Sequence, residues 1–416
     1  MAGTLSFGLS LRDTSLVILF FNLVCCIQTA YIGMLGPKTG MRQIIQARYS
    51  FGLYSVAIIT VLNLIAITGF TLIAVILGGQ TLSAVSDGKM TIKVGIVLTG
   101  LIGLFVSFCG YRALHLFNNY SWFITFICIV VAVGCGGKHL DNPVPVEPAS
   151  SSTILTFGCL IVGFMLPFNG IVSDFAVYYV PNAPAKRIFW YVYAGIAIPT
   201  ILLQTLGAAI GAAVPKVASW NSGYENYSAG GVLEAMLRPA GGFGKFLAVL
   251  IAFSLIGNVG ASMYSISLNF QATFTYAARV PRGVYSIITT VIMIAVGIKI
   301  ADSFFDSLEN FLGIVSYWPG VFGMIVTIEH LYFRKGDAST YDAAIWRDGR
   351  KLPVGIAAIS TGILAFGIII PCMNTLWFVG PIGKITGDIG FEVGIVVACI
   401  MYIPLRKLEI SISGHL

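Results

Sequence analysis

The sequence predicts an all-α protein that crosses a membrane many times, and three observations predict it. Of the 416 residues, 57% are hydrophobic and only 10% are charged, whereas an ordinary soluble domain carries about 25% charged residues. About eleven apolar runs follow one another, and each is long enough to cross a hydrocarbon layer of roughly 30 Å as a helix. Glycine (47) and proline (16) lie inside these runs as well as between them, which membrane helices tolerate. This composition excludes a soluble enzyme.

The expected spans follow the apolar windows of the sequence. In chain order they are residues 15–35, 54–78, 92–110, 120–136, 154–178, 188–214, 245–275, 284–300, 308–333, 353–372 and 388–405. Their ends are set to within about three residues. The loops between them are short, apart from residues 215–244.

The basic residues divide unequally between the two sides of the membrane. Of the 24 Lys and Arg residues, fifteen fall in the odd-numbered loops between spans and in the C-terminal tail, and nine fall on the opposite side. The richer side is expected to be cytoplasmic. This places the C-terminus in the cytoplasm and, with an odd number of spans, the N-terminus outside. Because these residues form no block of five or six, the net charge of +7 does not point to nucleic acid.

Neither covalent cross-links nor a cleaved leader are expected. The eight cysteines lie in or at the edges of apolar runs, with no CxxC pair and no histidine at ligand spacing, so no disulfide framework or metal site is indicated. The N-terminus has no basic segment before an apolar stretch, so a secretory signal peptide is not expected. Two glycosylation sequons occur, at Asn119 in a predicted inner loop and at Asn226 in the longest outer loop. Only Asn226 would be open to glycosylation.

The span at 154–178 contains a predicted interruption. Its centre reads GFMLPFNG (163–170), where the proline removes a backbone donor and the Asn-Gly pair favours non-helical dihedral angles. An unwound segment exposes amides and carbonyls to a ligand, as discontinuous transporter helices do. A plain proline kink packed against a neighbour is the alternative interpretation. Asp174 follows near the inner end, as a gate or as a helix-end anchor, and Glu329 is expected to pair near the inner surface.

A polar stripe follows one face of the span at 245–275. Ser254, Asn258, Ser262 and Ser265 are spaced by four, four and three residues, which places them on one helical face. Such a stripe is typical of a tight packing seam between helices. Asn258 favours a ligand instead, because an amide donates and accepts hydrogen bonds at once. Phe70, in the span at 54–78, is either ordinary packing or a stacking platform.

Several motifs together resemble those of a known family. They are GPKTGMRQ (36–43), RYSFG (48–52), GGQ (78–80), SDF (173–175), YS (264–265), NFL (310–312) and YW (317–318). This set resembles the fungal purine–cytosine permeases of the nucleobase–cation symporter family, over roughly residues 5–409. The resemblance, and not the composition or the spacing, implies transport of nucleobases.

The resemblance also implies an architecture. Members of the family are similar in having twelve spans with both ends cytoplasmic, the first ten forming two inverted repeats of five helices. We expect this five-plus-five inverted-repeat symporter fold with about eleven transmembrane helices, because residues 1–13 resemble the end of the family's first span and the loop after it. The expected number of spans is therefore one fewer than in the family, and a mis-assigned start codon and a true truncation are both open explanations of this difference. The expected organisation is one transporter domain over 1–416, with the rest of the first repeat at 1–136, the second repeat at 154–334 and two further helices at 353–405.

The resemblance further implies a substrate pocket. Phe70 and Phe168 stand where the family commonly has tryptophan, Ala74 stands where it has an amide, and Ser262 stands where a second asparagine is frequent. The candidate substrate-binding residues are Phe70, Ala74, Pro167, Phe168, Asn169, Gly170, Asn258 and Ser262, and the candidates for coupling or gating are Asp174, Ser265 and Asn310. A planar base between Phe70 and Phe168 would gain stacking worth roughly 1–3 kcal/mol.

The expected activity is import of purine bases or cytosine by proton symport, with alternating access around the interrupted span. The expected partners are a small nucleobase, a proton in preference to sodium, and the lipid bilayer of the plasma membrane, with no cofactor, metal or nucleic acid. A permease for a nucleoside or a vitamin, and a non-transporting remnant or sensor of the same fold, are the alternatives. A membrane enzyme would need paired carboxylates or a His/Cys cluster at membrane depth, which the sequence lacks.

Overall fold

The computed structural model describes residues 1–140, 146–274 and 276–414, without the side chains of residues 111–113 and 278. Within these ranges the regular secondary structure is helical, apart from one isolated bridge between Asn374 and Val379. Seven continuous helical stretches of the described chain are long and apolar enough to cross a bilayer, and the apolar helices Ile92–Phe108 and Ile356–Cys372 are shorter. The all-α fold class predicted from composition is confirmed.

The first third of the chain forms six helices. They are α1 (Ala2–Leu5), α2 (Leu11–Thr39), α3 (Gln43–Phe51), α4 (Val56–Val85), α5 (Ile92–Phe108) and α6 (Gly110–Gly136). Ser10 caps α2, since its hydroxyl accepts a hydrogen bond from the backbone N–H of Asp13 at 3.0 Å. The predicted spans at 15–35, 54–78, 92–110 and 120–136 correspond to α2, α4, α5 and α6. α2 extends beyond its apolar window at both ends, α4 at its C-terminal end and α6 at its N-terminal end, whereas α5 ends at Phe108, within its window.

The middle of the chain contains the interrupted span. Its helices are α7 (Ser151–Met165), α8 (Val172–Ala176), α9 (Ala185–Ala213), α10 (Ala218–Leu237) and α11 (Gly241–Thr273). A 3₁₀ turn, Leu166–Gly170, separates α7 from α8, and we name it the break segment. Pro167 has no N–H to donate and Ile171 leaves the helical region with φ −138° and ψ −10°, so the helix stops where the sequence predicts. Residue 275, the expected end of the span now assigned to α11, lies outside the described residues.

The last third contains a division that the sequence does not predict. Its helices are α12 (Arg282–Ile300), α13 (Phe304–Val315), α14 (Tyr317–Ile328) with a π-helical turn at Glu329–Phe333, α15 (Ile356–Cys372), α16 (Gly383–Thr386) and α17 (Gly390–Ser413). The expected single span at 308–333 is two helices, α13 and α14, that meet at Ser316. Pro319 explains the division, because proline is tolerated in the first turn of a helix and not in its interior.

Loops predicted to share one side of the membrane contact one another. The guanidinium of Arg48 donates to the carbonyl of Trp346 at 2.8 Å and to the carbonyl of Ala272, near the end of α11, at 2.6 Å. The amine of Lys38 donates to the carbonyl of Pro181 at 3.0 Å. These contacts join the first, fifth and ninth loops and the end of α11 at one face of the bundle, which we name the C-terminal face. The other end is the opposite face.

A buried ion network fastens α17 to α14 at the C-terminal face. Arg406 donates to Glu329 at 3.0 Å, the Nε atom of Arg334 lies 3.2 Å from the other Glu329 oxygen, and the Tyr402 hydroxyl donates to Glu329 at 2.9 Å. Arg406 also pairs with Glu409 at 3.0 Å, and a Glu409 oxygen accepts hydrogen bonds from two backbone N–H groups at the start of α15. Buried charges are costly unless each has a partner. The pairing expected for Glu329 is confirmed.

Candidate functional site

A cavity of about 290 Å³ lies beside the break segment. Four elements line it: α4 with Ala66, Ile67 and Phe70; the end of α7 and the break segment with Phe164, Met165, Pro167, Phe168 and Ile171; α9 with Ile196 and Thr200; and α11 with Asn258 and Ser262. Small-molecule sites in proteins usually measure roughly 300–1,000 Å³. The cavity therefore suits one small ligand.

Phenylalanine rings from two elements form the aromatic part of the cavity. Phe70 meets Phe164 edge to face with ring centroids 6.1 Å apart, and meets Phe311 of α13 in the same way at 5.2 Å. Phe168 stacks parallel to Phe175, with centroids 6.2 Å apart and planes within 3°. Each of the two rings expected to contact a planar base thus lines the same cavity and is held in place by further aromatic side chains.

Amide and hydroxyl groups supply the polar part of the cavity. Asn258 is accessible on the cavity side of α11, with Ser262 one turn further along and Thr200 contributed by α9. The two end residues of the predicted polar stripe, Ser254 and Ser265, do not line the cavity. Ser254 donates to the carbonyl of Ile251 at 2.7 Å, and Ser265 is 3% exposed and lies outside the cavity lining. Within the described part of the chain, no three His, Cys, Asp or Glu side chains are grouped so as to hold a metal ion.

Asn169 is buried behind the cavity wall. Its Oδ1 atom accepts a hydrogen bond from Thr29 at 2.7 Å, and its Nδ2 atom donates to Gln28 at 2.8 Å and to the carbonyl of Pro319 at 3.3 Å. The side chain is 0% exposed. Its donor and its acceptor are both engaged by α2 and α14, so Asn169 fixes the position of the break segment while Phe168 lines the cavity.

Gly170 permits a close approach between the break segment and α4. The Nδ2 atom of Asn63 donates to the Gly170 carbonyl at 3.1 Å, which satisfies an acceptor that the interrupted helix leaves free. A Cβ atom at Gly170 would collide with the Asn63 side chain, so this position requires glycine. Gly170 therefore contributes to the shape of the break segment and does not line the cavity.

Two further candidate residues lie away from the cavity lining. Ala74 is 4% exposed and packs in an apolar cluster with Val259 and Met263 of α11. Asn310, on α13, has an Oδ1 atom with no hydrogen-bond partner among the described residues, and it is absent from the lining. Five of the eight candidate substrate-binding residues line the cavity together, namely Phe70, Pro167, Phe168, Asn258 and Ser262.

The contribution of α9 is absent from the sequence-based site. Ile196 and Thr200 of this helix line the cavity. One signal in the sequence pointed to this region, because Pro199 lies inside the helix and precedes a hydroxyl residue at membrane depth. Phe164, at the end of α7, also lines the cavity and is absent from the candidate residues that the sequence predicts.

Asp174 lies in α8, between the break segment and the C-terminal face. One carboxylate oxygen accepts a hydrogen bond from the backbone N–H of Gln43, at the start of α3, at 3.0 Å. The other oxygen accepts a hydrogen bond from the hydroxyl of Ser265 at 3.5 Å. Next to this cluster, Arg42 donates to the hydroxyl of Tyr178 at 3.0 Å. Asp174 therefore joins α3, α8 and α11, and both of the interpretations made from sequence, gate and anchor, fit this position.

Known permeases are similar to this chain over most of its length. The chain matches the family described as permease for cytosine/purines, uracil, thiamine, allantoin over residues 1–394. It is 33% identical to purine-cytosine permease fcyB of Emericella nidulans over 417 residues, which covers 98% of this chain and 81% of that protein. It is 32% identical to purine-cytosine permease FCY2 of Saccharomyces cerevisiae over 428 residues, covering 99% and 80%.

A solved transporter shows the same fold. Mhp1, a nucleobase-cation-symport-1 family transporter in a closed conformation with bromovinylhydantoin bound, matches with a TM-score of 0.73 at 16% identity, covering 99% of this chain and 88% of that one. The symporter fold and the family resemblance expected from the sequence motifs are thereby confirmed. The chain belongs to the family of permeases for cytosine and purines, uracil, thiamine and allantoin.

Proposed function

We propose that this protein imports purine bases or cytosine across the plasma membrane by proton symport, with its C-terminus in the cytoplasm. The observation that carries the proposal is the cavity of about 290 Å³ where the break segment meets Phe70 and Asn258. The two fungal relatives named as purine-cytosine permeases support this substrate class. The excess of Lys and Arg in the loops of the C-terminal face supports the orientation.

Recognition of the base would combine stacking with a small number of hydrogen bonds. Phe70 and Phe168 offer aromatic faces to a planar heterocycle. The Asn258 amide offers a donor and an acceptor to the edge of the base, and the hydroxyls of Ser262 and Thr200 rotate to offer either. Because a buried polar group without its partner costs about 1–3 kcal/mol, these few contacts would select among bases.

Alternating access would proceed by breaking one of two closing contacts at a time. Toward the opposite face, the ring of Phe311 on α13 packs on Phe70. Toward the C-terminal face, Asp174 holds α8 to the start of α3 through Gln43. The division between α13 and α14 would let α13 bend, so that Phe311 moves away from Phe70. We assign residues 1–136 to the rest of the first inverted repeat and residues 154–334 to the second, and relative movement of the two would exchange these contacts.

Asp174 is our candidate for proton coupling. As a carboxylate it accepts hydrogen bonds from Gln43 and Ser265 and lies within the electrostatic reach of Arg42. Protonation would remove the negative charge and turn one acceptor oxygen into a donor. The contact that closes the C-terminal face would therefore weaken when the proton is bound, which links proton entry to opening on that side.

Uptake in cells that lack their own base permeases tests the proposal. Radiolabelled adenine and cytosine should enter saturably, faster at acidic than at neutral external pH, and a protonophore should stop net accumulation. Unlabelled thiamine, pyridoxine and uridine should not compete. Absence of uptake by protein that reaches the cell surface would contradict the proposal and favour a sensor, and competition by a vitamin or nucleoside would reassign the substrate.

A further inference from the structure

A second concavity opens on the outside of the helix bundle, between α4, α14 and α15. Its volume is about 510 Å³, and every residue that lines it is apolar. It extends from Phe51, at the C-terminal face, to Ile370, near the other end of α15. A central cavity that must recognise a polar ligand carries amides and hydroxyls, and this groove carries none. Its chemistry suits hydrocarbon alone.

The dimensions of the groove match one acyl chain of a lipid. Along α15 it runs from Ala358 to Ile370, a length of about 18 Å at 1.5 Å per residue. One leaflet of the hydrocarbon layer is roughly 15 Å thick. Gly362 and Gly367 line the groove and border open space, since a Cβ atom built at either position would meet no atom within 4 Å.

Cationic side chains lie at the end of the groove on the C-terminal face. The loop at 347–355 packs on the turn between α3 and α4, where the Ser55 hydroxyl donates to the carbonyl of Val354 at 3.4 Å. Arg347, Arg350 and Lys351 of this loop are exposed, and none of them forms an ion pair within the described ranges of the chain. Tyr54, which lies next to Gly349 of this loop, is 83% exposed, as is typical of tyrosines at a membrane interface.

We propose that the groove and this loop form a binding site for one anionic phospholipid. Its acyl chain would lie between α4, α14 and α15, and its phosphate and acidic headgroup would lie against Arg350 and Lys351. Cations next to the membrane attract anionic lipids within about a Debye length. A second copy of the chain is disfavoured at this groove, because a symmetric contact would bring the two cationic loops together.

The lipid would support the helix that holds the break segment. Trp318 and Phe322 of α14 line the groove. The backbone of the same helix turn faces the other way, and there the carbonyl of Pro319 accepts a hydrogen bond from Asn169. An acyl chain packed on α14 would therefore stabilise the helix to which Asn169 attaches the break segment. Loss of the lipid would alter the central cavity indirectly, through α14, although the lipid does not contact the substrate.

Lipid binding to the full-length protein in detergent tests the inference by native mass spectrometry. Delipidated protein is titrated with phosphatidylserine, with phosphatidylcholine of the same chains, and with glycerophosphoserine, which has the headgroup and no chains. We expect phosphatidylserine to bind about tenfold or more tightly than either of the others, since both the acyl chain and the negative charge contribute. Equal binding of phosphatidylcholine, or equal binding of the chainless headgroup, would overturn the proposal.

Variants separate the two parts of the site. Arg350→Gln with Lys351→Gln should remove the preference for phosphatidylserine, and Gly362→Leu with Gly367→Leu should fill the groove and reduce binding of both phospholipids. Gly134→Leu is the matched control, because a Cβ atom at Gly134, on α6 and away from the groove, also meets no atom within 4 Å. Reduction of binding by the control to the same degree would overturn the assignment of the groove, as would full binding by the filled variant. Monodisperse elution of each variant confirms that it is folded.

Discussion

The carboxylate of Asp174 accepts a hydrogen bond from the backbone N–H of Gln43 at 3.0 Å, which joins the second half of the interrupted span to the first turn of α3. A negative charge is favourable at this place because the N-terminus of a helix carries partial positive charge. The Ser265 hydroxyl adds a second hydrogen bond from α11. One buried carboxylate therefore links three elements at the C-terminal face.

Replacing this carboxylate by its neutral isostere should uncouple uptake from pH. Asp174→Asn retains an oxygen that can accept the Gln43 hydrogen bond, and it removes the group that titrates. We expect base uptake that no longer rises as external pH falls, measured as initial rate against pH. Asp302→Asn, on an exposed turn, is the control and should keep the pH dependence of the unmodified protein. A normal pH profile in Asp174→Asn would exclude Asp174 as the coupling residue.

Removal of the Phe70 ring should weaken substrate affinity. A base stacked on an aromatic ring gains roughly 1–3 kcal/mol, so Phe70→Ala should raise the half-saturation concentration for uptake about tenfold or more. Phe105→Ala provides the comparison, because that ring is 69% exposed on α5 and does not line the cavity. An unaltered half-saturation concentration in Phe70→Ala would show that its ring serves only for packing.

Removal of the Asn258 amide should abolish uptake while the protein still reaches the membrane. Asn258 is the one amide among the described residues that line the cavity, so Asn258→Ala leaves the polar edge of the base without its partner. Ser254→Ala changes the same face of α11 one turn earlier, at a hydroxyl bonded to its own helix, and should transport normally. Equal uptake by both variants would remove Asn258 from the site.

The contacts of Asn169 predict a loss of stability in addition to a loss of transport. Asn169→Leu deprives Thr29 and Gln28 of buried hydrogen-bond partners, at a cost of about 1–3 kcal/mol for each unpaired group. The melting temperature of the purified protein should fall clearly. In Asn226→Leu, where the exposed amide donates to Ser222 of its own helix turn, the melting temperature should be unchanged. A stable Asn169→Leu protein would contradict this positioning role.

The buried ion network predicts an asymmetric response at two neighbouring residues. Arg406→Met removes the buried cation that pairs with Glu409 and leaves Glu329 with Arg334 as its remaining buried cation. Breaking a buried ion pair costs about 3–5 kcal/mol. Lys407→Met removes a cation of similar length from an exposed position on the same turn and should change stability little. Thermal unfolding of both variants in the same detergent makes the comparison. Equal melting temperatures would show that the network contributes nothing to the attachment of α17.

The features that the sequence predicts correctly are those with a local cause. The spans follow from runs of apolar residues, and the interruption at Leu166–Gly170 follows from a proline and an Asn-Gly pair within one short stretch. The placement of Phe70, Phe168, Asn258 and Ser262 around one cavity came from the family resemblance and agrees with the structure.

The features that the sequence does not predict are those caused by contact between segments distant in the chain. Asn169 is polar and lies in the break segment, so the sequence favours contact with a ligand. Its partners Thr29 and Pro319 lie 140 and 150 residues away in the chain, and only the packing of α2 and α14 reveals them. The family resemblance implies a pocket position for Ala74, whereas in the structure it packs in the apolar cluster with Met263.

The most direct test of the account measures binding of radiolabelled adenine to the purified protein in lipid nanodiscs, without any transport step. The account predicts saturable binding that cytosine displaces, that Phe70→Ala weakens about tenfold, that Asn258→Ala abolishes and that Ser254→Ala leaves unchanged. Folded protein without displaceable binding, or Asn258→Ala protein that binds as tightly as the unmodified chain, would contradict the claim that the cavity between α4, the break segment and α11 holds the base.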